Sequence, residues 1–185
     1  MAWRHTVRLV LVLLAFAVSL RFAAEAFGFL SPWFGVMVMF CVLGIAAFSQ
    51  PAWTLRVPGP FRRIQAWESD RRLQSVLGVA AFGRLLTRTP LRALNRSVYF
   101  DRQTGDIAGV RAQLEAAEGA HFWSAAVLVP YIGVALFRRS WGAALGLVLA
   151  NVVVNVYPML HLRLVRGRIE RVGKRLSRDK PQPVA

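Results

Sequence analysis

Residues 141–161 read W-G-A-A-L-G-L-V-L-A-N-V-V-V-N-V-Y-P-M-L-H, an apolar run that two amides, a phenol and an imidazole interrupt. A helix of about 20 apolar residues crosses the hydrocarbon core of a bilayer, so this stretch predicts a transmembrane helix. An amide without a hydrogen bond in hydrocarbon is costly, so the polar side chains are expected to face protein, water or a ligand. They are Asn151, Asn155, Tyr157 and His161. The segment is therefore the first place to look for function.

The composition indicates an integral membrane protein. Of the 185 residues, 56% are hydrophobic, and the mean hydropathy is +0.43. The apolar residues are gathered into long runs, whereas a soluble domain would distribute them over a core with a polar coat. A single cysteine, Cys41, excludes an internal disulfide and a cysteine metal cluster, and no metal site is predicted.

Four apolar segments predict four transmembrane helices, so the expected fold class is an all-α integral membrane protein. The segments cover residues 7–29, 33–49, 121–137 and 141–161. Short turns within each pair make two hairpins. The chain is predicted to begin with a transmembrane hairpin, residues 1–49, followed by a basic amphipathic loop between the second and third helices, residues 50–119. A C-terminal transmembrane hairpin, residues 120–162, and a basic tail, residues 163–185, are predicted to follow.

The long loop and the tail hold most of the 24 basic residues. Within residues 61–86 the apolar positions recur every three or four residues, which is typical of an amphipathic helix on a headgroup surface. Residues 102–106 predict a turn before a helix from about Ile107. Because positive loops stay in the cytoplasm, we expect a multi-pass protein of the cell (inner or plasma) membrane with both termini cytoplasmic, although Arg138 and Arg139 oppose this orientation.

The candidate catalytic residues are Glu118, His121 and Asn155. The chain has none of the common glycine-loop, zinc or nucleophile-elbow signatures of soluble enzymes. Histidine has a pKa near neutrality and is the predicted general base, and Glu118, three residues earlier on one helix face, is expected to orient it. Asn155 or Asn151 is expected to donate a hydrogen bond to the developing oxyanion. The pattern therefore favours acyl transfer to a hydroxyl group.

The candidate substrate-binding residues lie on and after the fourth segment. Arginine pairs well with phosphate, so the arginines are expected to hold the phosphates of an activated acyl carrier. No bound cofactor is predicted; acyl-coenzyme A or acyl carrier protein is the expected acyl donor. The predicted set is Asn151, Tyr157, His161, Arg163, Arg166 and Arg168.

A non-catalytic scaffold or assembly partner is the alternative function. Asparagines in spanning helices often hold helices together, and basic tails often contact anionic lipid. Glu118 and His121 would then only begin an interfacial helix. A small transporter ranks third because few charged residues lie within the membrane segments. Nucleic acid is not an expected partner, since the positive charge lies beside the membrane spans.

Three stretches of the chain resemble a known family. They are W-E-S-D-R-R-L-Q-S-V-L-G-V-A-A-F-G-R-L-L at residues 67–86, A-E-G-A-H-F-W-S at residues 117–124, and N-V-Y-P-M-L-H-L-R-L-V-R-G-R at residues 155–168. These stretches are similar to the glycosyl-4,4'-diaponeurosporenoate acyltransferases of carotenoid (staphyloxanthin-type) biosynthesis. The resemblance covers roughly residues 67–169 and leaves the first hairpin outside it.

The resemblance implies a small membrane enzyme that esterifies a sugar hydroxyl of a glycosylated carotenoid with a fatty acyl group. The expected partners are this carotenoid or another membrane lipid as substrate, together with anionic lipids. The oligomeric state stays open. Matched position by position, the resemblance supports a role for Glu118, His121, Asn155, Arg163, Arg166 and Arg168.

Overall fold

A computed structural model of the chain describes residues 2–49, 54–65, 68, 75–76, 78–89 and 107–178, and these residues form helices and connecting segments with no strand among them. Seven α-helices are labelled here in chain order, and a π-helical turn, Val152–Val156, joins the last two. The helices are α1 (Ala2–Phe27), α2 (Pro32–Ser49), α3 (Gly59–Arg62), α4 (Val79–Arg88), α5 (Ile107–Phe137), α6 (Trp141–Asn151) and α7 (Tyr157–Arg178). The predicted all-α class is confirmed.

Among the described residues, four helical stretches are long and apolar enough to cross a membrane, as predicted. They are Thr6–Phe27, Pro32–Ser49, Ile107–Phe137 and Trp141–Arg171. Large apolar side chains on them point outward; Leu11, Leu14 and Phe22 of α1 are all exposed. In water this surface would be unfavourable, whereas lipid chains solvate it. The protein is therefore an all-helical membrane protein.

The predicted basic loop is described only in part. Helix α5 begins at Ile107, where a helix was expected, while the predicted turn at 102–106 lies outside the described residues. Helix α4 buries Val79 and Gly83 and exposes Arg84 and Arg88, so its residues alternate between a buried and an exposed face. The described part of the predicted tail, up to Arg178, is helical. The four divisions of the chain stay a prediction.

The chain separates into two compact units. The first comprises Met1–Val57 and Ala116–Met159, and the second comprises Pro58–Glu115 and Leu160–Ala185. Each unit is therefore built from two separate parts of the sequence.

Helix α2 packs in the first unit through the buried side chain of Met39 and through two glycines that aromatic rings approach closely. Met39, Leu128 and Leu147 lie at the centre of a buried apolar cluster. A Cβ atom on Gly35 would lie 2.6 Å from Cγ of Tyr131, and one on Gly44 would overlap the ring of Phe16. The two glycines therefore leave the space that these aromatic rings occupy, because only a residue without a side chain lets a ring approach the helix backbone so closely.

The turn between α5 and α6 forms at residues 138–140, as predicted. Arg139 adopts φ of +55°, the left-handed region. The N–H of Arg139 donates to the carbonyl of Leu136 and that of Ser140 to the carbonyl of Ala135, both at 2.9 Å. This is a Schellman arrangement, which satisfies the last carbonyls of α5.

A segment without regular secondary structure, residues 54–57, contacts α5 at Gly119. A Cβ atom on Gly119 would lie 2.6 Å from the carbonyl carbon of Leu55 and would overlap its oxygen. One turn later, Nε1 of Trp123 donates to the carbonyl of Arg56 at 3.1 Å. Backbone therefore touches backbone at this position, and only glycine permits the contact.

We expect Gly119→Ala to lower the melting temperature of the purified protein in detergent. The added methyl group meets main-chain atoms, which cannot rotate away, and overpacking of this kind costs about 1–3 kcal/mol. Gly133→Ala is the matched control, because Gly133 lies on the same helix and, apart from the backbone of that helix and the adjacent residues, no described atom lies within 4 Å of the added Cβ. Equal melting temperatures for the two variants would show that residues 54–57 do not pack on Gly119.

Candidate active site

The π-helical turn places Asn155 in the interior of the first unit. Across this turn, the N–H of Tyr157 donates to the carbonyl of Val152, five residues back, where an α-helix would use the residue four back. One extra residue is thereby inserted into the helix, which changes the direction of the side chains that follow. Asn155, the fourth residue of the turn, has no exposed surface. Such turns are frequent at functional sites.

Asn155 and Asn151 continue a hydrogen-bonded chain toward α5. Nδ2 of Asn155 donates to Oδ1 of Asn151 at 2.9 Å. Nδ2 of Asn151 donates in turn to the backbone carbonyl of Ala125 at 3.4 Å. Both amides therefore face protein and not lipid, as the cost of an unpaired amide in hydrocarbon requires.

His121 of α5 contacts the π-helical turn that contains Asn155. Its imidazole interacts with the side chain of Asn155 and the backbone of Val154. Two buried atoms of this contact still lack a hydrogen bond of normal geometry among the described residues: Nδ1 of His121 and Oδ1 of Asn155. Buried polar atoms are nearly always paired, so these two atoms have capacity to bind a ligand or water.

Glu118 and Ser124 place two more polar groups on α5. Glu118 precedes His121 by three residues and is 1% exposed. Ser124 is fully buried, and its Oγ donates to the carbonyl of Met39 at 3.0 Å. A carboxyl group within a spanning helix is expensive and usually functional. We name Glu118, His121, Asn151 and Asn155 the buried polar cluster.

The second unit contains a different polar assembly, which is centred on buried arginines. Arg163 forms an ion pair with Glu68, and their side chains are 8% and 3% exposed. The guanidinium of Arg163 also donates to the carbonyl of Phe61. Arg166, 3% exposed, donates to the carbonyl of Arg62 at 2.9 Å. The two arginines thus hold the backbone of residues 61–62.

A single carboxylate, that of Glu115, joins three arginines in this unit. Arg62 forms an ion pair with it, and Nε of Arg111 donates to Oε1 at 3.0 Å. A nitrogen of Arg166 lies 3.8 Å from the same oxygen. Arg111 also lies 3.8 Å from Glu170. Sequence alone did not indicate this network, because its members come from distant parts of the chain.

The remaining predicted binding residues occupy different environments. His161 packs edge-on against Phe82 with ring centroids 6.5 Å apart, and a Cβ atom on Gly83 would lie 2.6 Å from its ring. In the second unit, therefore, His161 packs closely against α4. Tyr157 is half-buried at the start of α7, and Arg168 is exposed.

The structure therefore brings some of the predicted residues together, and others belong to the second unit. His121, Asn151 and Asn155 meet in the first unit, and Glu118 is buried three residues before His121 on α5. The second unit contains His161, Arg163, Arg166 and Arg168. Sequence reasoning missed Gly119, Ser124, Glu68 and Glu115. A weak signal existed for Glu68, which lies in the quoted W-E-S-D stretch, but its partner is 95 residues away. The catalytic and binding roles stay predictions.

Metal coordination has no obvious place in the described parts of the chain. Nowhere in them do three or more His, Cys, Asp or Glu side chains come together in a group that could hold a metal ion.

We expect Glu68→Gln to destabilise the protein strongly. The substitution keeps the shape of the side chain but leaves the buried charge of Arg163 without its carboxylate, which costs about 3–5 kcal/mol. Glu170→Gln, which removes a half-exposed pair with Arg111, should cost less than about 1 kcal/mol. Thermal unfolding in detergent measures both. Similar melting temperatures would contradict the importance of the buried pair.

Comparison with known proteins identifies the family. The sequence profile of the Glycosyl-4,4'-diaponeurosporenoate acyltransferase family matches residues 59–175. This stretch is more than half of the 185-residue chain, and it includes the buried polar cluster and the arginine network. No curated protein and no solved structure matches the chain. The chain therefore belongs to the Glycosyl-4,4'-diaponeurosporenoate acyltransferase family, as the resemblance of its motifs indicated.

Proposed function

We propose that the protein is an integral-membrane O-acyltransferase. It moves a fatty acyl group from an activated carrier to a hydroxyl group of a glycosylated carotenoid or another membrane glycolipid. The observation that carries the proposal is the buried polar cluster, in which His121 and Asn155 keep unpaired atoms inside spanning helices. Membership of an acyltransferase family supports the reaction, and the membrane helices support an acceptor that is dissolved in lipid.

His121 acts as the general base in the proposed reaction. The hydroxyl oxygen of the acceptor attacks the carbonyl carbon of the acyl thioester, and Nδ1 of His121 takes the hydroxyl proton. A C–O bond forms, the C–S bond breaks, and the imidazolium returns the proton to the departing thiolate. Histidine suits both steps because its pKa is near neutrality. Glu118, three residues earlier on α5, stabilises the transient imidazolium.

Asn155 stabilises the oxyanion that develops on the carbonyl oxygen. A side-chain amide has two N–H donors, and Asn155 uses one of them for Oδ1 of Asn151. Its second N–H is thus available for the oxyanion, and a preorganised donor of this kind accelerates acyl transfer substantially. Asn151 acts as a positioning residue, since it is held between Asn155 and the carbonyl of Ala125.

A membrane scaffold is the second candidate, and a specific observation favours it. The bond from Asn151 to the carbonyl of Ala125 links two spanning helices, which is what a purely structural asparagine would do. Under this alternative, substitutions of Asn151 and Asn155 would lower stability, and no turnover would be found. The arginines would then serve only to contact anionic lipids.

The acyl donor and the membrane in which the protein resides are also part of the proposed function. The donor is acyl-coenzyme A or acyl carrier protein, and anionic lipids contact the arginine-rich surface. The protein resides in the cell (inner or plasma) membrane with both termini in the cytoplasm. An even number of spans and the concentration of arginine in the loop and tail support this orientation.

We expect His121→Ala to reduce product formation at least about 100-fold without loss of the folded protein, because a general base contributes roughly that much. Mass spectrometry of total lipids and pigments from cells with and without the gene measures the product as a mass increase of one fatty acyl group. Gln113→Ala, an exposed position on the same helix, is the control and should restore the product fully.

The same experiment separates the two candidates. Wild-type levels of product with His121→Ala would refute the proposed base while leaving acyl transfer intact. Unchanged lipid and pigment profiles after loss of the gene, in a strain that makes suitable acceptors, would favour the scaffold.

We expect fusions of reporter proteins to place both termini in the cytoplasm. Green fluorescent protein after Arg178 should fluoresce, and alkaline phosphatase after Ser140 should be active, since that enzyme folds only outside the cytoplasm. The physical reason is the retention of positively charged loops on the cytoplasmic side. The opposite pattern would mean that Arg138 and Arg139 determine the orientation.

A further inference from the structure

A groove in the second unit is lined by arginines that have no role in the proposed reaction steps. Its volume is about 430 Å³, which is within the usual range for sites that bind small ligands. Its lining residues are Gly59, Arg62, Arg63, Ile64, Arg111, Arg166 and Glu170.

The groove has an excess of positive charge among its described residues. Arg62, Arg111 and Arg166 share the carboxylate of Glu115, and Glu170 lies close to Arg111 alone. Four arginines line the groove, and the two carboxylates that pair with them leave a net positive charge. Moreover, the side chains of Arg62 and Arg111 are 43% and 53% exposed, so a ligand can reach them.

Arg63 is the most available cation of the groove. It is exposed and forms no ion pair with any residue that the structure describes. Its position is fixed by its neighbours, because Arg163 and Arg166 donate hydrogen bonds to the backbone carbonyls of Phe61 and Arg62. The buried arginines therefore hold this segment in place, and the exposed ones face solvent. The binding roles expected for Arg163 and Arg166 stay predictions, and Arg166 also lines the groove.

We propose that this groove binds the phosphate groups of a coenzyme A thioester, which is the acyl donor. Planar guanidinium groups bind phosphate oxygens in pairs, and several converging arginines suit a ligand with more than one phosphate. The groove is larger than a single phosphate requires, and Ile64 provides an apolar wall. The identity of the ligand as donor rests on the proposed function, whereas phosphate binding by the groove does not.

The test measures binding of coenzyme A to the full chain in nanodiscs of phosphatidylcholine by isothermal titration calorimetry. Coenzyme A should bind, and pantetheine, which lacks phosphate, should not. Arg63→Gln should weaken binding about tenfold, the loss expected for one hydrogen bond to a charged group. Arg88→Gln, an exposed arginine of α4 outside the groove, is the charge-matched control and should leave the dissociation constant unchanged.

Three results would overturn the proposal. Coenzyme A does not bind, pantetheine binds as tightly, or Arg63→Gln binds coenzyme A like the wild type. Arg111→Gln provides a second variant in the same groove and should also weaken binding. A lipid headgroup is the other source of phosphate. Nanodiscs that contain phosphatidylglycerol test this alternative. If the protein retains this lipid through Arg63 and does not bind coenzyme A, the groove is a lipid site and the proposed acyl donor is rejected.

Failure of coenzyme A binding by the groove can be distinguished from failure of the proposed acyl transfer. Acyl transfer by the wild type with equal binding by Arg63→Gln would reject the groove and keep the reaction. Binding of coenzyme A that depends on Arg63, without any acyl transfer to lipid or pigment, would keep the groove and reject the reaction.

Discussion

The low polarity of the membrane interior is the constraint on which the structure depends. A polar side chain within a spanning helix needs a partner, because water is not available to replace it. Asn155 bonds to Asn151, and Asn151 bonds to the backbone of Ala125, so the amides pair with protein. The π-helical turn contributes by placing Asn155 in the interior. Nδ1 of His121 and Oδ1 of Asn155, beside it, have no hydrogen bond of normal geometry, and the proposed reaction is built on these two residues.

The arginines of the second unit divide by burial. Arg163 and Arg166 lie inside and bond to carboxylates and backbone carbonyls, so their charges stabilise the local structure. Arg62 and Arg111 are partly exposed beside the groove, where positive charge remains for a ligand. A buried ion pair is sensitive to loss of either partner, whereas an exposed arginine can be replaced at little structural cost. Binding and stability can thus be tested with separate substitutions.

Family membership and the site support the function in different ways. The family match, over residues 59–175, establishes the acyltransferase family and the membrane helices establish the environment. The contacts of His121 and Asn155 supply a candidate general base and a candidate hydrogen-bond donor to the oxyanion. The groove supplies a candidate site for the acyl donor. The residues on which the proposal depends are few, and each can be substituted separately.

The sequence by itself determined the helical class, the four spans, the turn at residues 138–140 and the family, because runs of apolar residues and short motifs are local properties. It also indicated that Asn151 and Asn155 face protein, water or a ligand and not lipid. Only the tertiary structure decided that Glu68 pairs with Arg163 and that Gly119 admits the backbone of Leu55. These contacts join residues far apart in the chain, and hydrophobic periodicity contains no information about which distant charges or backbones meet.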